Sequence, residues 1–96
     1  MTATRTSHPH IEVRRRRRGP TAVVRGTRTR VAWIALRHEY LGESVDEIVE
    51  AWPHLNLAQV HDALSYYHDR KQALDREIRE EQEFVSEMEA FFASRG

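Results

Sequence analysis

Eight arginines crowd one short stretch: Arg14, Arg15, Arg16, Arg17 and Arg18 without a break, then Arg25, Arg28 and Arg30. A guanidinium keeps its charge at any physiological pH and presents its donors in a planar fork that matches phosphate oxygens, so the chemistry such a cluster offers is the gripping of a nucleic-acid backbone. Neutralising roughly six to ten phosphates would make that binding steeply salt-dependent. Arg25, Arg28 and Arg30 also fall on or near a helix N-terminus, where the macrodipole is already positive, so an anion there would offset a cost. Further on, Gln59 can pair with adenine and His61 can reach a base edge or a phosphate, provided both stand on the exposed start of a helix. Asp62 and Asp69 would repel phosphates. Runs of like charge are also ordinary solvated surface, and that structural reading stands beside the functional one.

Other chemistries find little support. There is no cysteine, which excludes disulfides, thiolate zinc sites and a cysteine nucleophile. Of the six histidines, His54, His61 and His68 are spaced by seven, with no close histidine pair beside them. Neither a glycine-rich phosphate loop nor a nucleophile elbow occurs. The expectation is a protein that is not an enzyme and takes neither cofactor nor metal.

The chain around these residues is small. Its 96 residues make one domain, able to bury roughly 60 to 65% of the surface the unfolded chain exposes. No stretch approaches the ~18 apolar residues of a membrane span, and the arginine run is not followed by the hydrophobic segment of a secretion signal. A cytoplasmic location is expected. Net charge is zero, but residues 1–42 carry ten arginines against two acids and residues 43–96 carry thirteen acids against five bases. Such a dipole along the sequence suits two partners of opposite sign, or an acidic half that shields a basic one within the fold or in a dimer.

The positioning elements follow from periodicity. Residues 1–10 are polar and without pattern, as in a disordered tail. Ile11 to Val13 and Thr21 to Arg25 are short β-prone runs separated by Gly19-Pro20, which predicts a hairpin or strand pair. Gly26 supplies a sharp corner, and Thr27 or Thr29 would cap the next helix. Val31, Ile34, Ala35 and Leu41 share one helical face, which Gly42 ends. Ser44 and Glu47 fit a capping box, with Val45, Ile48, Val49 and Trp52 behind it until Pro53 stops that helix. Asn56 and Gln59 repeat the device before Val60, Ala63, Leu64 and Tyr67. The fold expected is mainly α: a short N-terminal hairpin, a tri-helical unit of helix-turn-helix type spanning 11–72, and an acidic amphipathic helix over 73–96. In that last helix Leu74, Ile78, Val85, Met88 and Phe92 form an apolar seam with Glu81 in its one polar slot, widened by Phe84 and Phe91. So wide a stripe must fold back, pair with another copy or dock on a partner. Whether the helix starting at Leu57 runs unbroken past Arg70 is open at this level.

Val24-Arg25-Gly26-Thr27-Arg28, Gly42-x-Ser44, Glu47-Ile48, Pro53-x-Leu55, Val60, Ala63-Leu64 and Tyr66-Tyr67 together resemble the domain of unknown function family 433, over about residues 8–72. The arginine-glycine-threonine-arginine corner is the most specific part. The resemblance implies a small cytoplasmic prokaryotic protein of helix-turn-helix type, many such proteins being classed as VapB-like antitoxins encoded beside a PIN-like nuclease toxin. The chain departs from the pattern twice: it has Arg18-Gly19-Pro20-Thr21 where the family usually has a glycine-glycine-x-proline turn, and Arg30 where a proline usually precedes the first helix. The polyarginine insertion therefore takes no role from the family. The function implied is a type II antitoxin that neutralises the PIN-like toxin through the seam helix and represses its own operator, as a homodimer or higher oligomer. The alternative is a stand-alone DNA-binding regulator or nucleoid-associated dimer. An RNA-binding accessory role is weaker, because few aromatics accompany the arginine-rich region.

Overall fold

Ile11 and Val24 face each other across an antiparallel pair, and the register fixes everything that follows at the N-terminal end. In the computed structural model, which describes the backbone of residues 4–95 and the side chains of residues 6–83, three strands form one sheet in the order β1-β2-β3. They are β1 (Thr4–Arg5), β2 (Ile11–Arg14) and β3 (Thr21–Val24). The predicted hairpin is therefore present, with one strand more than expected. Thr4 and Arg5 pair with Val13 and Glu12, so residues taken from the sequence as tail contribute a strand. Thr6 ties the link down by donating its hydroxyl to the carbonyls of His8 and Ile11.

Helices make up most of the remainder. The first is α1 (Val31–Ala35), continued by a π-helical turn over Leu36–Tyr40. The sequence pattern suggested one α-helix up to Gly42. Instead the Leu41 amide reaches the Leu36 carbonyl at 3.0 Å, five residues back, and the widened turn directs Arg37 and His38 onto Glu43. Gly42 then ends the segment with φ of +72°, a conformation that costs a glycine almost nothing.

Next come α2 (Val45–Ala51) and α3 (Leu57–Asp69), each opened by a complete capping box. Ser44 and Glu47 exchange side-chain-to-amide bonds at α2, and Asn56 and Gln59 do so at α3. Arg70, with φ −130° and ψ 41°, breaks the chain between α3 and α4 (Lys71–Arg95).

Packing closes these elements on one core. The strands supply Ile11, Ala22 and Val24; α1 supplies Val31, Ile34 and Ala35; α2 supplies Ile48; α3 supplies Val60, Ala63, Leu64 and Tyr67. α1 lies against α3, β3 and α4, while α3 also meets α2 and β2. Leu74 and Ile78 of α4 are buried in the same core, at 4% and 1% exposure. Of the three fates open to the seam, its first turns fold back on their own domain, which hides that part of the apolar stripe without a second molecule. Val85, Met88 and Phe92, with Phe84 and Phe91, lie outside the residues whose side chains are described.

Candidate nucleic-acid interface

Hairpin register divides the arginines into two groups. Arg14 pairs with Thr21 at one end of the β2-β3 ladder and Ile11 with Val24 at the other. Three residue steps separate those ends, about 10 Å. Arg15 to Arg18 form the exposed turn at the first end, closed by reciprocal bonds between Arg16 and Gly19 at 3.0 and 3.2 Å. Arg25 and Arg28 stand exposed at the second end, where the Arg25 amide donates to the His10 carbonyl at 2.7 Å. The footprint expected from the sequence is thus divided between the two ends of the hairpin.

Arg30 belongs to neither group. Its side chain is 7% exposed, with Nη2 donating to Glu77 and Nη1 donating to Glu81 at 3.1 Å, both on α4. Glu81 also accepts the Trp33 indole N–H at 3.3 Å. Burial pushes the Glu81 carboxyl up, but the Trp33 N–H, the Arg30 charge and the more distant Arg16 outweigh it and hold it below the usual glutamate range. Arg30 is thus engaged as a structural cation: two carboxylates share its terminal nitrogens, little of it meets water, and its buried Nε is left without a partner. The polar slot at Glu81, unexplained in an apolar seam, is the sequence signal for this partner. Around the same place Arg16, Arg18 and Arg76 line a small cleft with Glu77, Glu80 and Glu81. The basic and acidic halves of the chain meet here within one fold. Arg14 is likewise committed, its Nε donating to Glu12 at 2.7 Å.

The Gly26 corner is built by its own threonines. Gly26 has φ of +78°, the Thr27 hydroxyl donates to the Val24 carbonyl at 2.8 Å, and the Thr29 amide donates to the Thr27 hydroxyl at 3.0 Å. The Thr29 carbonyl then accepts the Val24 amide at 2.9 Å, and Arg30 bridges back to Val23. Neither threonine caps α1, contrary to the sequence reading; its N-cap is Arg30, with no side-chain bond to the helix. The corner is a closed loop that holds Arg25 and Arg28 outward.

A second contact joins this loop to α3. The hydroxyl of Thr29 and Nε2 of His54 lie 2.7 Å apart, and His54 belongs to the turn that leads into Asn56. The turn that leads into α3 therefore adjoins the corner that carries Arg25 and Arg28. Gln59 is only partly available for readout, because its Oε1 accepts the Asn56 amide at 2.8 Å. His61 is exposed. The two carboxylates that would repel phosphate are both engaged by the N-terminal segment: Asp62 accepts the His10 amide at 2.7 Å, and Asp69 lies 3.1 Å from His8 Nε2. His8 packs edge-on against Tyr66, so residues outside any sequence pattern help set the charge of this face.

Three further features had no signal in the sequence pattern. Asp75 collects Tyr40, Tyr67 and Lys71 at 3.2, 2.6 and 2.8 Å. Glu39 lies between His38 and His68, at 3.6 and 3.9 Å. Trp33 and Trp52, the only tryptophans, line one groove with Gly26, Arg28 and His54.

The architecture so described defines a mainly α-helical protein with a small N-terminal sheet, and no helix among the described residues is long and apolar enough to cross a membrane. The chain belongs to the family described as protein of unknown function (DUF433), whose model matches residues 11–67. That span runs from the first residue of β2 to Tyr67, near the end of α3, and takes in both capping boxes and the Gly26 corner. No curated protein and no solved structure matches the chain.

Proposed function

We propose that this protein is the antitoxin of a type II toxin–antitoxin pair, which binds and neutralises a PIN-like nuclease toxin and represses its own operon by binding DNA. The reading takes α1, α2 and α3 as a tri-helical unit of helix-turn-helix type, with α3 as the helix for the major groove. One observation carries the DNA part: the Thr29–His54 contact sets the exposed Arg25–Arg28 loop beside the turn that leads into α3. In such an arrangement the loop arginines meet backbone phosphates and His61, with what Gln59 retains, meets the base edges. The antitoxin part rests on the resemblance to VapB-like proteins read from the sequence; the family itself is described as of unknown function. Because Leu74 and Ile78 are spent on the core, the toxin contact is assigned to the sequence beyond Glu83, where Val85, Met88 and Phe92 continue the apolar spacing.

Growth after inducing the neighbouring reading frame, alone and with this chain, tests the reading. Arrest relieved by this chain is the expected outcome. A neighbour that is expressed and harmless overturns it and leaves the stand-alone DNA-binding regulator as the reading to pursue.

A further inference from the structure

The groove that contains both tryptophans differs in charge from the rest of the molecule. Its lining is Gly26, Thr27, Arg28, Thr29, Trp33, Trp52 and His54, with no carboxylate in a chain that carries fifteen. The cleft at the other end of the hairpin, by contrast, holds three glutamates. Each indole is also fixed from one side by a cation. The Arg37 guanidinium lies 4.8 Å from the Trp52 ring centre, and Arg30 lies 5.3 Å from that of Trp33. Arg37 is held in turn by Glu43 at 2.8 Å, and the Trp33 N–H is occupied by Glu81. Both rings are half-buried, so what remains of their surface is rigid aromatic area in the groove wall. Rigid aromatic surface binds a planar ligand with little loss of side-chain freedom, and an exposed arginine at the rim selects an anionic one.

A nucleotide joins a planar group to an anion, and the groove is bordered by the exposed Arg25–Arg28 loop, where Arg25, next to the lining, would meet a second phosphate; that favours a strand over a lone planar anion. We propose that this groove binds single-stranded nucleic acid, seating an unstacked base against the indoles of Trp33 and Trp52 with its phosphate on Arg28. Stacking on aromatic faces tolerates any base, so binding there depends on strandedness and salt more than on sequence. The site shares Arg28 and its loop with the duplex contact proposed for α3, but its tryptophan wall is separate from that contact and the proposal does not rest on it. An acidic protein segment would satisfy Arg28 but not the planar wall.

Since both tryptophans of the chain line the groove, indole fluorescence, excited selectively over the three tyrosines, reports on the groove. The full-length protein is titrated at low salt with a short oligothymidylate, with the corresponding oligo(dA)·oligo(dT) duplex and with a polyglutamate peptide. Saturable quenching is expected with the single strand, weaker with the duplex and absent with the peptide. Arg28→Glu, on an exposed loop position, is expected to weaken the single-strand affinity by about tenfold or more with an unchanged far-ultraviolet circular dichroism spectrum. Trp52→Phe should lose part of the quenching and, because it removes part of the stacking surface, also weaken binding measured by anisotropy of a labelled strand. Absence of quenching by the oligothymidylate, equal quenching by polyglutamate, or indifference to Arg28→Glu overturns the proposal. A duplex retained in a mobility-shift assay while neither nucleic acid alters the indole emission also overturns it, and that result leaves the operator-binding reading standing.

Discussion

Arg30 and Glu81 lie 51 residues apart in sequence and 3.1 Å apart in space. The pair, with Glu77 beside it, fastens α4 to the corner that starts α1. It stands where the resemblance read from the sequence implies a proline, and Arg30 adopts φ −80° and ψ 143°, close to what a proline would impose. Here the ion cluster adds a contact to α4 that a proline cannot make. Arg30→Ala leaves two partly buried carboxylates facing each other, and the expected loss is about 3 kcal/mol, the low end of the range for opening a buried pair because both glutamates retain some solvent. Urea unfolding midpoints measure it. A loss of DNA affinity without a loss of stability would return Arg30 to the interface.

Acid should weaken the same region. The Glu81 carboxyl is held below its ordinary value, although burial opposes this, by Trp33 and Arg30; that of Asp75 is lowered by its bonds to Lys71 and Tyr67. A carboxylate with a depressed folded pKa adds stability that is present above its unfolded pKa and lost as pH falls through the folded one. Thermal midpoints should therefore drop from about pH 4.5 downward, and Glu81→Gln should flatten the profile.

At the alkaline end the sign reverses. Burial, followed by the bond to Asp75, pushes the Tyr67 hydroxyl up to about 12. A group that stays protonated only in the folded state contributes fully below its unfolded pKa, near 10, and loses its contribution as pH rises toward 12. The Tyr40 hydroxyl is raised as well, by burial and by Asp75, so phenolate absorbance should have a late part to which both contribute, coinciding with unfolding. Tyr67→Phe should remove the latest portion of that rise.

Truncation separates folding from docking. Deleting residues 73–96 removes Leu74 and Ile78 from the core together with both partners of Arg30. Each buried side chain is worth about 1.5 to 3 kcal/mol, so that deletion should unfold the domain and say nothing about a partner. Ending the chain after Glu83 keeps all four residues. The shorter chain should keep a helical circular dichroism spectrum, weakened only by the part of α4 removed, and a cooperative melt, and co-purification with the neighbouring protein then tests the toxin contact alone.

Gln59 has two candidate duties that a single substitution divides. Gln59→Glu preserves an acceptor for the Asn56 amide and should leave stability within about 0.5 kcal/mol. It should nevertheless weaken DNA retention if the side chain meets a base edge. Asn56→Ala should cost about 1 kcal/mol by removing the cap from α3.

Local signals in the sequence were legible wherever a residue and its neighbours within one turn decide the outcome. Both capping boxes, the stop at Pro53, the positive φ of Gly26 and the β2-β3 hairpin are of this kind, since a cap or a turn is made by residues three or four apart. Apolar spacing likewise identified Ile48, Val60, Ala63, Leu64 and Tyr67 as core. What only the tertiary structure decided concerns partners far apart in the chain. Arg30 and Arg28 are the same residue type two positions apart, yet one is buried between Glu77 and Glu81 and the other is exposed, because the corner turns them to opposite sides. Leu74 and Ile78 have the spacing of a docking helix and serve the core, because the break at Arg70 lets α4 return across α1. Sequence alone sets how much charge and apolar surface each segment carries; which of it meets water, a partner or its own fold is settled by the direction in which each element is packed.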